Sequence, residues 1–214
     1  MKKNLFFTAV ITAFTLFSFS GCKKDNAPKD YNALFKNTVW TGEFNYTGKA
    51  AQPASLEFKD GGQLTWYELS GEFSATWKLE NNKLTVSFPS GSGFSAMIGD
   101  DNKLTGIQNF SVNSYAVTSA SLNTTPDESL DNTTWTAPNL ILHFKAGSKV
   151  DMQLGTPPSV SYNDVPYVRK AKSIRFSPFA AYQWFTVSSN TNAMAGVNKF
   201  LPDLTVYPFP LKKQ

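Results

Sequence analysis

The feature that most constrains this chain is that it is written twice. Leu34-Phe35-Lys36-Asn37-Thr38-Val39-Trp40-Thr41 matches Leu130-Asp131-Asn132-Thr133-Thr134-Trp135-Thr136, and Leu56-Glu57-Phe58-Lys59-Asp60-Gly61 matches Leu142-His143-Phe144-Lys145-Ala146-Gly147. Leu104-Thr105-Gly106-Ile107-Gln108-Asn109-Phe110 matches Met194-Ala195-Gly196-Val197-Asn198-Lys199-Phe200 in the same order. The offsets drift between 86 and 95 residues, as insertions in surface loops between equivalent strands would make them. Residues 34–122 and 130–214 are therefore the two copies. The polar stretch 123–129, with Pro126, Asp127 and Glu128, reads as the linker between them.

Within each copy the hydrophobic period is two. Phe73, Ala75, Trp77 and Leu79 alternate with Glu72, Ser74, Thr76 and Lys78, and Leu84, Val86 and Phe88 alternate with Lys83, Thr85 and Ser87. That is the pattern of half-buried strands, with one face on a core and one in water. Asp60-Gly61-Gly62, Glu80-Asn81-Asn82 and Gly99-Asp100-Asp101-Asn102 supply residues that accept positive φ, so neighbouring strands pair as hairpins. About eight strands are predicted in the first copy, near 38–46, 54–59, 62–69, 72–79, 83–89, 93–98, 103–110 and 113–120. Six are predicted in the second, near 140–145, 149–154, 172–177, 181–188, 193–200 and 204–209. Pro157, Pro158 and Pro166 cannot donate ladder hydrogen bonds and predict an edge strand or a projecting loop; Pro208 and Pro210 suit a last strand at an edge or end. Short antiparallel strands leave two bare edges unless the sheet closes, and closure around eight is physically comfortable. The copies form either two separate barrels or the halves of one larger barrel or sandwich.

Trp40-Thr41-Gly42, Leu56-Glu57-Phe58, Gly71-Glu72-Phe73 and Leu104-Thr105-Gly106, taken together, resemble the small lipocalin-like (calycin) domains of Bacteroidota lipoproteins. The resemblance is close over 34–122 and loose over 130–210. It implies an all-β chain, a tandem duplication of small antiparallel meander β-barrels following a signal peptide and a flexible tether.

The N-terminus carries an address. Met1-Lys2-Lys3-Asn4 precedes an apolar run from Leu5 to Phe19, short of the ~20 residues a transmembrane helix needs. Ser20-Gly21 then leads into Cys22, the only cysteine. Phe19-Ser20-Gly21-Cys22 resembles a lipobox, which implies cleavage after residue 21 and acylation of Cys22. Two or more acyl chains make a stable membrane anchor where one does not. Residues 1–21 are the expected signal peptide and 22–33 the lipidated tether, polar from Lys23 to Asp30. The Cys22-Lys23-Lys24-Asp25 start is similar to those of Bacteroidota lipoproteins, which implies the outer membrane, periplasmic or surface-facing. A lone cysteine forms no intrachain disulfide, so the core alone must hold the fold.

The remaining residues point to binding rather than catalysis. The chain carries +4 formally; without Lys2 and Lys3 it has 18 basic and 16 acidic residues, a balance that argues against nucleic acid. His143, the only histidine, shares a strand face with Ile141 and Lys145 and reads as a surface residue without catalytic partners. No metal, cofactor or catalytic set is expected: Asp100-Asp101-Asn102 and Asp127-Glu128 lack calcium-loop spacing, and Gly61-Gly62 and Gly91-Ser92-Gly93 lack the features of a phosphate loop. Trp40, Phe44, Phe58, Trp66, Phe73, Trp77, Phe88 and Phe94 are expected to point inward and leave the first barrel mostly packed. Candidate binding residues lie in the second copy: Tyr162, Tyr167 and Arg169 on a loop, and Tyr182 and Trp184, which share a strand face opposite Phe185. The expected partners are a membrane through the acyl chains and a small apolar ligand or envelope protein. The alternative is a glycan stacked on the aromatics of the second copy.

Overall fold

The computed structural model describes residues 30–110, 115–155, 157–180, 182–200 and 206–214; the expected signal peptide and Cys22 lie outside them. Each copy is a complete eight-stranded antiparallel meander, so the duplication is of whole barrel-like sheets and not of half-barrels.

In the first copy the strands are β1 (Thr38–Tyr46), β2 (Gln52–Phe58), β3 (Gln63–Glu68), β4 (Gly71–Glu80), β5 (Lys83–Ser87), β6 (Gly93–Ile98), β7 (Leu104–Phe110) and β8 (Tyr115–Leu122). From β1 to β7 each pairs with the next, and β8 returns to β1. The turn from β4 to β5 shows how the sequence sets register. Asn81 and Asn82 both take positive φ, 46° and 58°, which closes a two-residue hairpin with Glu80 opposite Lys83. Among the described residues, β7 and β8 are joined at their seam by an isolated bridge and by side-chain bonds instead of a ladder. Lys103 bridges Ser121, and the Asn109 side chain replaces a strand by donating to the Val117 carbonyl (3.0 Å) and accepting from its N–H (2.8 Å). At Gly42 a Cβ would stand 2.0 Å from the Ser119 carbonyl oxygen, beside the register shift between Glu43 and Phe44. Only glycine lets β8 approach β1 that closely.

One end of this barrel is plugged. A short 3₁₀ turn, Asn32–Leu34, delivers Phe35 onto Trp40, stacked at 4.7 Å, and against Phe58 and Trp77. The Leu34 carbonyl accepts from Thr38 Oγ1 (2.8 Å) and Trp40 Nε1 (3.1 Å), which ties the turn to β1. Tyr31 and Leu34 also pack on the core, so Tyr31, within the stretch expected to be tether, belongs to the first barrel's packing.

The second copy comprises β9 (Thr133–Ala137), β10 (Leu140–Lys145), β11 (Lys149–Leu154), β12 (Val160–Lys170), β13 (Ser173–Phe179), β14 (Tyr182–Asn190), β15 (Ala193–Phe200) and β16 (Val206–Lys213), closed by pairing of β16 with β9. Two of these, β9 and β12, fall outside the six predicted strands. Pro157 and Pro158 lie in the loop between β11 and β12 as expected, but Pro166 lies within β12, an internal strand that pairs with β11 through Pro166, opposite Lys149, and with β13 from Tyr167 onward. A register shift between Val150 and Met152, with Asp164 at φ 56°, makes a bulge there, and a bulge is where an internal strand can accommodate a missing donor. Pro208 and Pro210 lie two apart in β16 and so turn their missing donors the same way. They pair with Val197 and Ala195 of β15, while β9 reaches only Lys212 and Lys213.

The two barrels are fastened to each other. Tyr67 and Leu69 leave the outer face of the first to pack with Phe185, Val187 and Val197 of the second. Arg175 Nη2 donates to the Glu68 backbone carbonyl (2.8 Å), and Lys170 pairs with Glu72 (2.8 Å). The expected linker is an integral part of this join. Asn123 Nδ2 donates to the Ser188 carbonyl (2.7 Å), while Lys172, 6% exposed, donates to the Thr125 carbonyl (2.6 Å) and to Asp127. A lysine that far from water is stable only with such partners.

Candidate functional site

The aromatic plug closes one end of the first barrel, and alternation along the strands brings a second aromatic group to the other end. On β1 the inward residues are Trp40, Gly42, Phe44 and Tyr46; at a rise of about 3.3 Å per residue, Tyr46 stands roughly 20 Å from Trp40. On β3 the inward set is Leu64, Trp66 and Glu68, with Tyr67 and Leu69 facing out to the second barrel. Phe88 follows Leu84 and Val86 just beyond β5, and Tyr115 opens β8 opposite Tyr46.

These residues enclose a cavity of about 460 Å³ that opens to solvent at the barrel mouth. Its rings meet at steep angles. Trp66 lies 5.3 Å from Phe44 at 76° and 5.9 Å from Phe88 at 78°, and Phe88 lies 5.9 Å from Tyr115 at 89°. Phe73, 42% exposed, stands at the rim instead of filling the interior. The first barrel is packed over most of its length, from Trp40 and Phe58 to Phe44 and Phe94, and Phe73 is the one of its eight expected inward aromatics that is exposed. At the mouth the edge-to-face rings brace each other beside the cavity.

One charged group sits in the wall. Glu68 is only 3% exposed, and its carboxylate accepts from Tyr46 Oη (2.9 Å), Trp66 Nε1 (3.2 Å) and Ser70 Oγ. Burial, reinforced by the Glu68 charge, pushes the Tyr46 phenol well above its usual range. Burial also pushes Tyr115 up to about 12, against an opposing pull from the Ser92 hydroxyl. Both phenols thus stay protonated at neutral pH.

The candidate residues of the second copy do not form a surface site together. Trp184 is 3% exposed, stacked on Phe176 at 5.9 Å inside the barrel, and its strand neighbour Phe185 is fully buried against the first barrel. Both faces of β14 are covered, one by the barrel interior and one by the neighbouring barrel, so neither offers Trp184 to a sugar. Tyr167 is buried edge-on against Phe144 (5.3 Å). Arg169 holds the linker through the Glu128 carbonyl (2.6 Å) and Asp127 (3.5 Å). Tyr162 and Tyr182 do come together, both against Phe179, at 5.8 Å and 5.6 Å, and Phe179 is 42% exposed. His143 Nδ1 lies 3.0 Å from Thr134 Oγ1 on the neighbouring strand. Among the described residues no three His, Cys, Asp or Glu side chains converge as a metal site would require.

Sequence reasoning missed Glu68, Tyr46 and Tyr115. The signal was present in the alternation, since Leu64 and Trp66 place Glu68 on the inner face and Phe44 places Tyr46 there too. An inward carboxylate in an aromatic strand is a polar residue at a core position, which marks a functional site more often than a structural one.

No match to a protein-family model, to a curated protein or to a solved structure was found. The class defined by the structure is accordingly an architectural one: tandem eight-stranded antiparallel barrels, the first open at one end.

Proposed function

We propose that this chain is a non-enzymatic lipoprotein of the cell envelope, lipocalin-like in both domains, that holds a small ligand with an apolar body in the mouth of its first barrel. The observation that carries the reading is the 460 Å³ cavity ringed by Tyr46, Trp66, Phe88 and Tyr115. Ligand pockets commonly fall in this size range, lined by aromatic groups with a few polar atoms to orient the occupant. The groups lining it are two carboxylates, Glu68 and Glu72, two phenols held protonated and the hydroxyls of Ser74, Ser90 and Ser92, with no histidine or cysteine among them, which supports recognition. The lipobox-like approach to Cys22 supports anchoring by acyl chains, and the Cys22-Lys23-Lys24-Asp25 start supports the outer membrane of a Bacteroidota-type cell.

The pocket is tested with N-phenylnaphthylamine, a neutral dye that brightens in apolar surroundings. It is expected to bind the full-length chain and to lose about tenfold or more in affinity in Ser90→Trp, which lays an indole across the rim. Equal binding by both proteins would rule the pocket out as the site. Cys22→Ser is expected to move the chain from the membrane to the soluble fraction; unchanged membrane retention would end the lipoprotein reading.

A second reading rests on Tyr162, Phe179 and Tyr182, whose contiguous rings, with Phe179 exposed, suit stacking on a sugar. It predicts polysaccharide retention that Phe179→Ala abolishes.

A further inference from the structure

We propose that the occupant of the first-barrel pocket is an organic cation, an amine or quaternary ammonium group carried on an apolar body. This deepens the pocket reading above and rests on it.

The first ground is the unbalanced charge of Glu68. Its three donors, a phenol, an indole and a hydroxyl, are all neutral, so they stabilise the carboxylate without cancelling it. Oε1 takes two of these bonds and Oε2 one, which leaves an acceptor position on Oε2. Among the described residues Glu68 makes no ion pair, whereas the nearby Glu57 and Glu72 are paired with Lys59 and Lys170. Arg175 comes from the outer side of the wall and bonds the Glu68 backbone carbonyl, not its carboxylate. A buried carboxylate without a counter-ion is unfavourable, and a cationic ligand removes that penalty.

The second ground is the ring arrangement. Phe44, Trp66, Phe88, Tyr115 and Tyr46 meet their neighbours at 64° to 89°, which makes a box instead of a stacked column. Aromatic faces carry negative potential and attract cations, most strongly where water is displaced. Rings and carboxylate therefore act with the same sign. The same field disfavours a fatty-acid carboxylate, which would meet Glu68 as a like charge. The apolar remainder of the ligand lies against Phe73 at the rim.

The test is calorimetric titration of the full-length chain with three probes of equal chain length below their micellar concentrations: decyltrimethylammonium, decanol and decanoate. The cation is expected to bind about tenfold or more tighter than decanol, and decanoate weakest. Glu68→Gln, which keeps an acceptor for Tyr46, is expected to bring the cation and decanol within about twofold while decanol affinity holds. Tyr115→Leu leaves Glu68 and its donors in place and is expected to cost the cation about threefold relative to decanol. If decanol or decanoate binds as well as the cation, the charge assignment is overturned while the apolar pocket stands. A cation preference that survives Glu68→Gln overturns the role of Glu68. Binding of none of the three overturns the pocket itself.

Discussion

The two barrels share one strand order, one repeated sequence and a packed core, yet the first also opens a ring-lined cavity at its mouth. Strand register shows where they part. Leu56 and Phe58 of β2 face Trp66 and Leu64 of β3, as Leu142 and Phe144 of β10 face Met152 and Val150 of β11. Trp66 therefore corresponds to Met152, and one step along the inner face Glu68 corresponds to Leu154. β1 continues past its tryptophan to Phe44 and Tyr46, whereas β9 ends at Ala137, two residues after Trp135. In the second barrel, Trp184 stacks on Phe176 within the core. Closed meanders tolerate either filling because backbone hydrogen bonds set the wall, and the inward side chains decide only what the wall encloses.

The sharpest way to break this comparison is to delete one inward tryptophan from each barrel. Trp184→Ala is expected to destabilise the chain by about 3–5 kcal/mol in urea unfolding, since the ring is buried in the second core. Trp66→Ala is expected to cost about 2 kcal/mol less, because its gap joins a cavity already open to water. Equal losses would mean that the two interiors are equally packed.

A second test addresses closure. Asn109→Ala leaves both polar groups of Val117 without their partners at the seam of the first barrel, and an expected loss of about 2 kcal/mol follows. Hydrogen exchange at β7 and β8 is expected to rise while exchange at β16 and β9 is unchanged.

Alkaline pH sharpens the contrast further. Tyr46 and Tyr115 keep their protons above the ordinary value of 10.0 in the folded chain and release them near it when unfolded. Their contribution is thus intact below about pH 10 and is lost as pH rises through the folded values, about 12 for Tyr115. The urea midpoint is expected to fall across that window, and the fall to be shallower in a Tyr46→Phe, Tyr115→Phe double variant. The smallest expected effect belongs to Arg169→Ala. Its pairing with Asp127 is partly solvated, so a loss of about 1 kcal/mol or less is expected, with ligand binding unchanged. A loss of binding there would return Arg169 to the site.

Much of the fold was legible because alternation and turn chemistry are local. Asn81-Asn82 and the Phe73–Leu79 run place β4 and β5 without any knowledge of their neighbours. β12 was not legible, because Pro166 argues against an internal strand until the bulge at Asp164 is known. Trp184 and Phe185 were misjudged for a related reason. Period-two reading assumes one wet face, and β14 has none, since the neighbouring barrel covers its outside. The site was half legible: Trp66 and Phe88 were expected inside, but which end of the barrel stays open depends on where Phe35 is inserted.

By itself, then, the sequence determined two all-β copies of one meander, most of their strands, the hairpin turns and the inward aromatic rows, since each follows from spacing along a single segment. Only the tertiary structure decided that a 3₁₀ turn plugs one mouth and leaves the other open, that Glu68 shares that opening with four rings, and that the outer face of β14 is interior to the whole molecule. Those outcomes depend on groups far apart in the chain meeting in space, and no local period carries that information.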